Sequence, residues 1–90
     1  MTVDKTKLPE EFLISDGEQE FYTRIGKMIH DMRIAKNISQ AEIAEQIDTT
    51  PEFVDAYEKA EIAIPFHQFM EIGRILNCFE EVGKIMNNLY

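Results

Sequence analysis

Few residues of this chain are equipped for chemistry, and their spacing points to contact rather than turnover. His30, His67 and Cys78 are its side chains with metal-binding or nucleophilic character beyond the carboxylates. They stand 37 and 11 positions apart on separate predicted helices, which is not a metal-ligand spacing. Adjacent acids such as Glu10-Glu11 and Glu80-Glu81 face different directions on a helix and read as solvated charge. A nucleophile beside a positioned base, a glycine-rich phosphate cradle and a cofactor fingerprint are all missing. The expectation is a protein that is not an enzyme and takes no cofactor or metal. The polar groups with a plausible task are Ser39, Gln40, Thr49 and Thr50, at the borders of short helices, where hydroxyls and amides meet a charged surface or cap a helix.

The elements that must hold those groups are all helical, and no stretch alternates as a strand would. Phe21, Ile25, Met28, Ile29 and Met32 form one stripe of a first helix over 18–37, with Asn37 suited to the left-handed residue after a helix end. Ser39-Gln40-Ala41-Glu42 is a capping box that opens a second helix over 40–47, buried through Ile43, Ala44 and Ile47. Thr50-Pro51-Glu52 starts a third over 51–59, with the threonine as cap and the proline where its missing N–H costs nothing. Val54 and Tyr57 face inward. Pro65 opens a fourth helix over 65–77, and a fifth runs over 79–89 with Val82, Ile85, Met86 and Leu89 on one side. Residues 1–16 lack periodicity and read as a mostly flexible acidic arm, although Leu8, Phe12, Leu13 and Ile14 are apolar enough to dock. Residues 17–90 form the domain.

Composition bounds what this domain can be. Its 90 residues, 44% hydrophobic, make one domain with a thin core, which dimerisation would help. A single cysteine excludes an internal disulfide framework and fits a reducing compartment. The first twenty residues carry six acids and no apolar core segment, unlike a secretory signal. The longest apolar run, residues 62–66, is far short of the roughly 20 residues needed to cross a bilayer. The expected location is the cytoplasm, with no membrane contact.

Two short helices joined by a tight turn, the second stiffly initiated, predict a helix-turn-helix. Ser39-Gln40, Ile43-Ala44, the Asp48-Thr49-Thr50 turn and then Val54, Tyr57 and Glu58 resemble the Cro/repressor (XRE-type) family, whose fold is the lambda-repressor-like five-helix domain. Ile25-Gly26 with Ile29, Met32 and Arg33 looks like that family's first helix, and Pro65 with the spacing to Leu76 like its fourth. The likeness spans residues 21–78, about two-thirds of the chain. It implies a semi-buried pair of Arg33 with Glu58, a phosphate contact from Gln40, and a third helix lying in the DNA major groove. Carried over residue by residue, the DNA-facing positions are Gln40, Thr49, Thr50, Pro51, Glu52, Asp55 and Ala56. Asp48 and Ala60 stand where relatives often have glycine.

The side chains at those positions are unusual for the task. Arginine, lysine, glutamine and asparagine read purine edges, and the third helix has none facing outward. Pro51 and Ala56 can touch a thymine methyl and Glu52 can accept from cytosine, but Asp55 would meet phosphate charge. The net charge is −8. Residues 21–38 hold four basic residues against Asp31, whereas residues 39–61 hold seven acids against Lys59. Two functions are therefore expected. One is a dimeric DNA-binding transcriptional regulator, expected to repress, on double-stranded DNA. The other is the same fold turned protein-interaction module, antitoxin-like or a regulatory partner. In the second case Phe53 and the N-terminal arm would meet a partner, unless Phe53 merely packs on that arm. The apolar stripe of residues 79–90 serves either the core or a symmetric dimer seam.

Overall fold

The computed structural model describes residues 4–89; residues 1–3 of the expected arm and Tyr90 lie outside it. Five helices follow two short 3-10 turns, Lys5–Lys7 and Glu10–Phe12. They are α1 (Gln19–Ala35), α2 (Gln40–Gln46), α3 (Pro51–Glu58), α4 (Phe66–Leu76) and α5 (Phe79–Leu89), with no strand among the described residues. The fold is all-α, as the periodicity predicts.

Both helix starts that flank the turn follow from local chemistry. The Glu42 N–H donates to Ser39 Oγ at 3.0 Å, and the Ser39 N–H donates back to Glu42 Oε1 at 3.2 Å, which completes the capping box. Thr50 Oγ1 accepts from the Phe53 N–H at 3.4 Å, with Pro51 in the first helical position. Pro65 differs from expectation. It is the residue before α4 rather than its first turn, with φ −56° and an extended ψ of 143°.

The ends of α1 to α4 fall one or two residues inside the expected limits, because the residues there form caps, while α5 spans the expected 79–89. After α1, α2, α3 and α4 a residue turns left-handed: Asn37, Asp48, Ala60 and Asn77, with φ between 54° and 59°. After α3, the Glu61 N–H reaches back to the Ala56 carbonyl (3.0 Å) and the Ala60 N–H to that of Tyr57 (3.1 Å). This doubly bonded ending satisfies carbonyls that the helix leaves open. Asparagine and aspartate tolerate the conformation, but alanine pays for its Cβ, by about 1–2 kcal/mol. Ala60→Gly should therefore raise stability by about 0.5–1 kcal/mol, after the glycine's greater unfolded-state entropy and the lost methyl are counted. Chemical denaturation reads this directly, and an unchanged or lower midpoint would refute the strain.

The core gathers Ile25 and Ile29 of α1, Ile43 and Ala44 of α2, Val54 and Tyr57 of α3, and Ile72 and Leu76 of α4, with Val82 of α5. α3 packs on both α1 and α2, while α1 also meets α4 and α5. α1 and α3 come closest at Gly26. A Cβ built there would stand 2.5 Å from the Tyr57 carbonyl oxygen and 2.6 Å from that of Glu58. Buried Tyr57 and Gln68 satisfy each other, the phenol donating to Gln68 Oε1 and tying α3 to α4.

The N-terminal segment is held against this body. The Ala63 N–H donates to the Phe12 carbonyl at 2.8 Å, and Leu8 and Phe12 pack on the core. No helix of the described residues is long and apolar enough to cross a membrane.

Candidate nucleic-acid interface

The brace beneath α2 and α3 is a buried charge pair. Arg33 Nε donates to Glu58 Oε2 at 2.6 Å and Nη2 donates to Oε1 at 3.0 Å, a two-pronged bond that fixes α1 against the end of α3. Its third arm, Nη1, donates to the Ile38 carbonyl at 3.0 Å and so also holds the α1–α2 turn. The guanidinium is the only fully cationic group that is buried among the described residues, at 7% exposed. The pair matches the one that the family resemblance implies.

Glu58 is the hub of a wider network. Its Oε1 also accepts from Gln40 Nε2 at 3.1 Å and lies 3.1 Å from His30 Nδ1. Burial pushes the Glu58 carboxyl up, but hydrogen bonds from Arg33, His30 and Gln40 outweigh it and hold the group below its ordinary value. The role of His30 escaped the sequence reading, which gave it no partner. The available signal was its place three residues before Arg33 on the same helix face.

Gln40 does not stand free for a phosphate. Its amide donates both to Glu58 and to Asp55 Oδ1, the latter at 3.1 Å. Asp55 in turn takes Lys59 Nζ at 2.9 Å, and these bonds, that of Lys59 first, keep its carboxyl below the usual range. Lys27, His30, Gln40, Asp55, Glu58 and Lys59 together line an open cleft of about 340 Å³. Five of these side chains are bonded to one another, and Lys27 is paired with Asp31 outside the cleft.

Of the remaining expected contacts, Thr50, Pro51 and Glu52 are exposed and Thr49 is half-buried, so the turn and the first residues of α3 form one accessible edge. Ala56 must be corrected. It is 2% exposed and belongs to the core, because α3 buries Val54, Ala56 and Tyr57 where it packs on both α1 and α2. It cannot meet a base without unfolding the helix from its seat. Phe53 is likewise half-buried: its ring lies 5.5 Å from that of Phe12 and 6.4 Å from that of Tyr57. The contact with the N-terminal segment is the reason an apolar residue stands there.

Charge on the accessible edge is negative. Glu52 on the edge and Asp48 next to it in the turn are exposed, as are Glu42 and Glu45 of α2. The cations of α1 are engaged, Arg24 with Glu20 at 2.9 Å and Lys27 with Asp31 at 2.8 Å. Such exposed pairs contribute only about 0–1 kcal/mol each, so a phosphate could compete for either cation. Cys78 is buried, and that burial pushes its thiol up, away from the thiolate that nucleophilic chemistry needs. Comparison with protein families, with characterised proteins and with solved structures returns no match.

Proposed function

We propose that this chain is a DNA-binding transcriptional regulator of the Cro/repressor type, acting as a dimer through its helix-turn-helix. The observation that carries the reading is the braced α2–α3 pair, with residues 49–52 left accessible at the start of α3. α1, α2 and α3 are tied together by the bonds of Arg33 and Gln40 to Glu58, which leaves the start of α3 as the kind of helical edge that a major groove admits. In this reading Thr49 and Thr50 supply hydroxyls to phosphates, Pro51 touches a thymine methyl and Glu52 accepts from a cytosine amino group. The reading carries a cytoplasmic location with it, where DNA and a reduced thiol are both found.

The acidic edge sets the terms of such binding. Phosphate contacts supply most of the affinity of DNA-binding proteins, and here few cations lie near the edge. Affinity should be modest, in the micromolar range, and confined to low salt. A gel-shift titration with the host's upstream DNA tests this, and no salt-sensitive shift at micromolar protein would reject it. Asp55→Lys, which removes an acid that holds the Gln40 amide and puts a cation beside it, should tighten binding.

A second reading is favoured by one specific observation: Gln40, the expected phosphate ligand, spends its amide on Asp55 and Glu58. With seven acids against Lys59 over residues 39–61, the same face suits a cationic protein surface. A pull-down partner lost on Glu52→Lys, together with an absent DNA shift, would establish this reading in place of the first.

A further inference from the structure

We propose that the groove between α1, α4 and α5 is a binding site for a small apolar cation of the onium type, whose charge is met by Glu11. The groove holds about 470 Å³, within the roughly 300–1,000 Å³ of small-molecule sites. Its aromatic lining is Phe21, Tyr22, Phe66, Phe69 and Phe79. Phe21 is the centre of that set, its ring 5.2 Å from that of Tyr22 and 6.5 Å from that of Phe69. Phe66 is 78% exposed, so its ring is available to a guest rather than spent in the core.

Ring chemistry and charge together select the occupant. Aromatic faces carry negative charge density, and rings grouped around one space attract a cation that is itself coated in hydrocarbon. Glu11 is the one charged side chain that lines the groove, and among the described residues no basic side chain does. It is exposed, so its carboxylate stands at the mouth, and the bond from the Ala63 N–H to the adjacent Phe12 carbonyl, 2.8 Å, fixes that turn to the body. Burial and then the Glu18 charge push the Tyr22 phenol up, so a second carboxylate faces the same wall. An anion would be repelled at this mouth, and a neutral guest would cover the Glu11 carboxylate without answering its charge. The groove therefore asks for apolar bulk and one positive charge.

The site is independent of the DNA reading, and its test uses the full chain without DNA. Tetraphenylphosphonium is the probe, with tetraphenylborate as the anion of the same shape. Calorimetric titration should show saturable one-to-one binding of the phosphonium below millimolar concentration, and about tenfold weaker binding of the borate. Glu11→Gln should weaken the phosphonium about fivefold, and Phe66→Ala by a similar factor. Glu45→Gln, which removes the same charge from α2, should leave its affinity at the wild-type value. All three positions are exposed, so unliganded thermal melts should match the wild type and separate a lost site from a lost fold. In NMR spectra the probe should move the amide signals of residues 66, 69 and 79. No saturable binding at millimolar probe, equal affinity for the two ions, or equal losses in Glu11→Gln and Glu45→Gln would overturn the site. So would groove signals that move with protein concentration alone and not with the probe, the mark of a second copy as the occupant.

Discussion

Gly26→Ala is expected to destabilise the fold by about 2–4 kcal/mol, although the local effect of the change has the opposite sign. Within an isolated helix, alanine in place of glycine is favourable by about 1 kcal/mol. Here the added methyl would stand 2.5 Å from one backbone carbonyl oxygen and 2.6 Å from the next, those of Tyr57 and Glu58. Neither oxygen can swing aside as a side-chain end could, because both belong to the last turn of α3. Relief requires α1 and α3 to separate, which loosens Ile25, Ile29, Val54 and Tyr57 and stretches the Arg33–Glu58 bond. For a domain of this size the melting temperature should fall by roughly 10–20 °C. A melt equal to or above that of the wild type would mean that the two helices do not approach this closely.

Glu58→Ala should be as damaging, by about 3–5 kcal/mol, for an electrostatic reason. It strips both prongs from the guanidinium of buried Arg33 and leaves it the Ile38 carbonyl and a long contact, 3.4 Å, with His30 Nδ1. Gln40 loses one of its acceptors in the same step. Arg33→Met combined with Glu58→Leu should cost much less than Glu58→Ala alone, because no charge is then left buried without its partner. Urea denaturation of Arg33→Met, of Glu58→Leu and of the double variant closes this cycle, and strict additivity would refute the pairing.

The same pair sets a pH dependence. The folded Glu58 carboxyl titrates below its ordinary value of 4.5, so its contribution is fully present above that value and is lost as pH falls through the lower, folded one. Stability should therefore drop as pH falls below about 4.5, and Glu58→Gln should drop less over that range because it has no proton to take up. Equal slopes for the two proteins would show that the carboxylate is not held in this way.

Much of this was legible in the residues themselves. The capping box at Ser39 and Glu42, the Thr50-Pro51 start of α3 and the left-handed Asn37 are local events, settled by side chains within four positions of one another. The apolar stripes likewise reach the core, since a helix must bury the face that carries them. The Arg33–Glu58 bond, 25 positions apart, was reachable only through a resemblance, and neither the His30 contact nor the Tyr57–Gln68 bond was foreseen.

The sequence by itself determined the five helices, their order, their caps and the acidic composition of the turn region, because propensity, capping and periodicity act over one or two turns. Only the tertiary structure decided which of the expected contacts remain available. Ala56 is lost to the core, Gln40 is drawn to Asp55 and Glu58, and Phe53 is covered by Phe12. Each outcome depends on a partner from a different segment, or on how broad a face α3 must bury, and the pattern along a single helix contains neither. The same holds for Phe66, which falls on the apolar stripe of α4 by spacing and yet is 78% exposed.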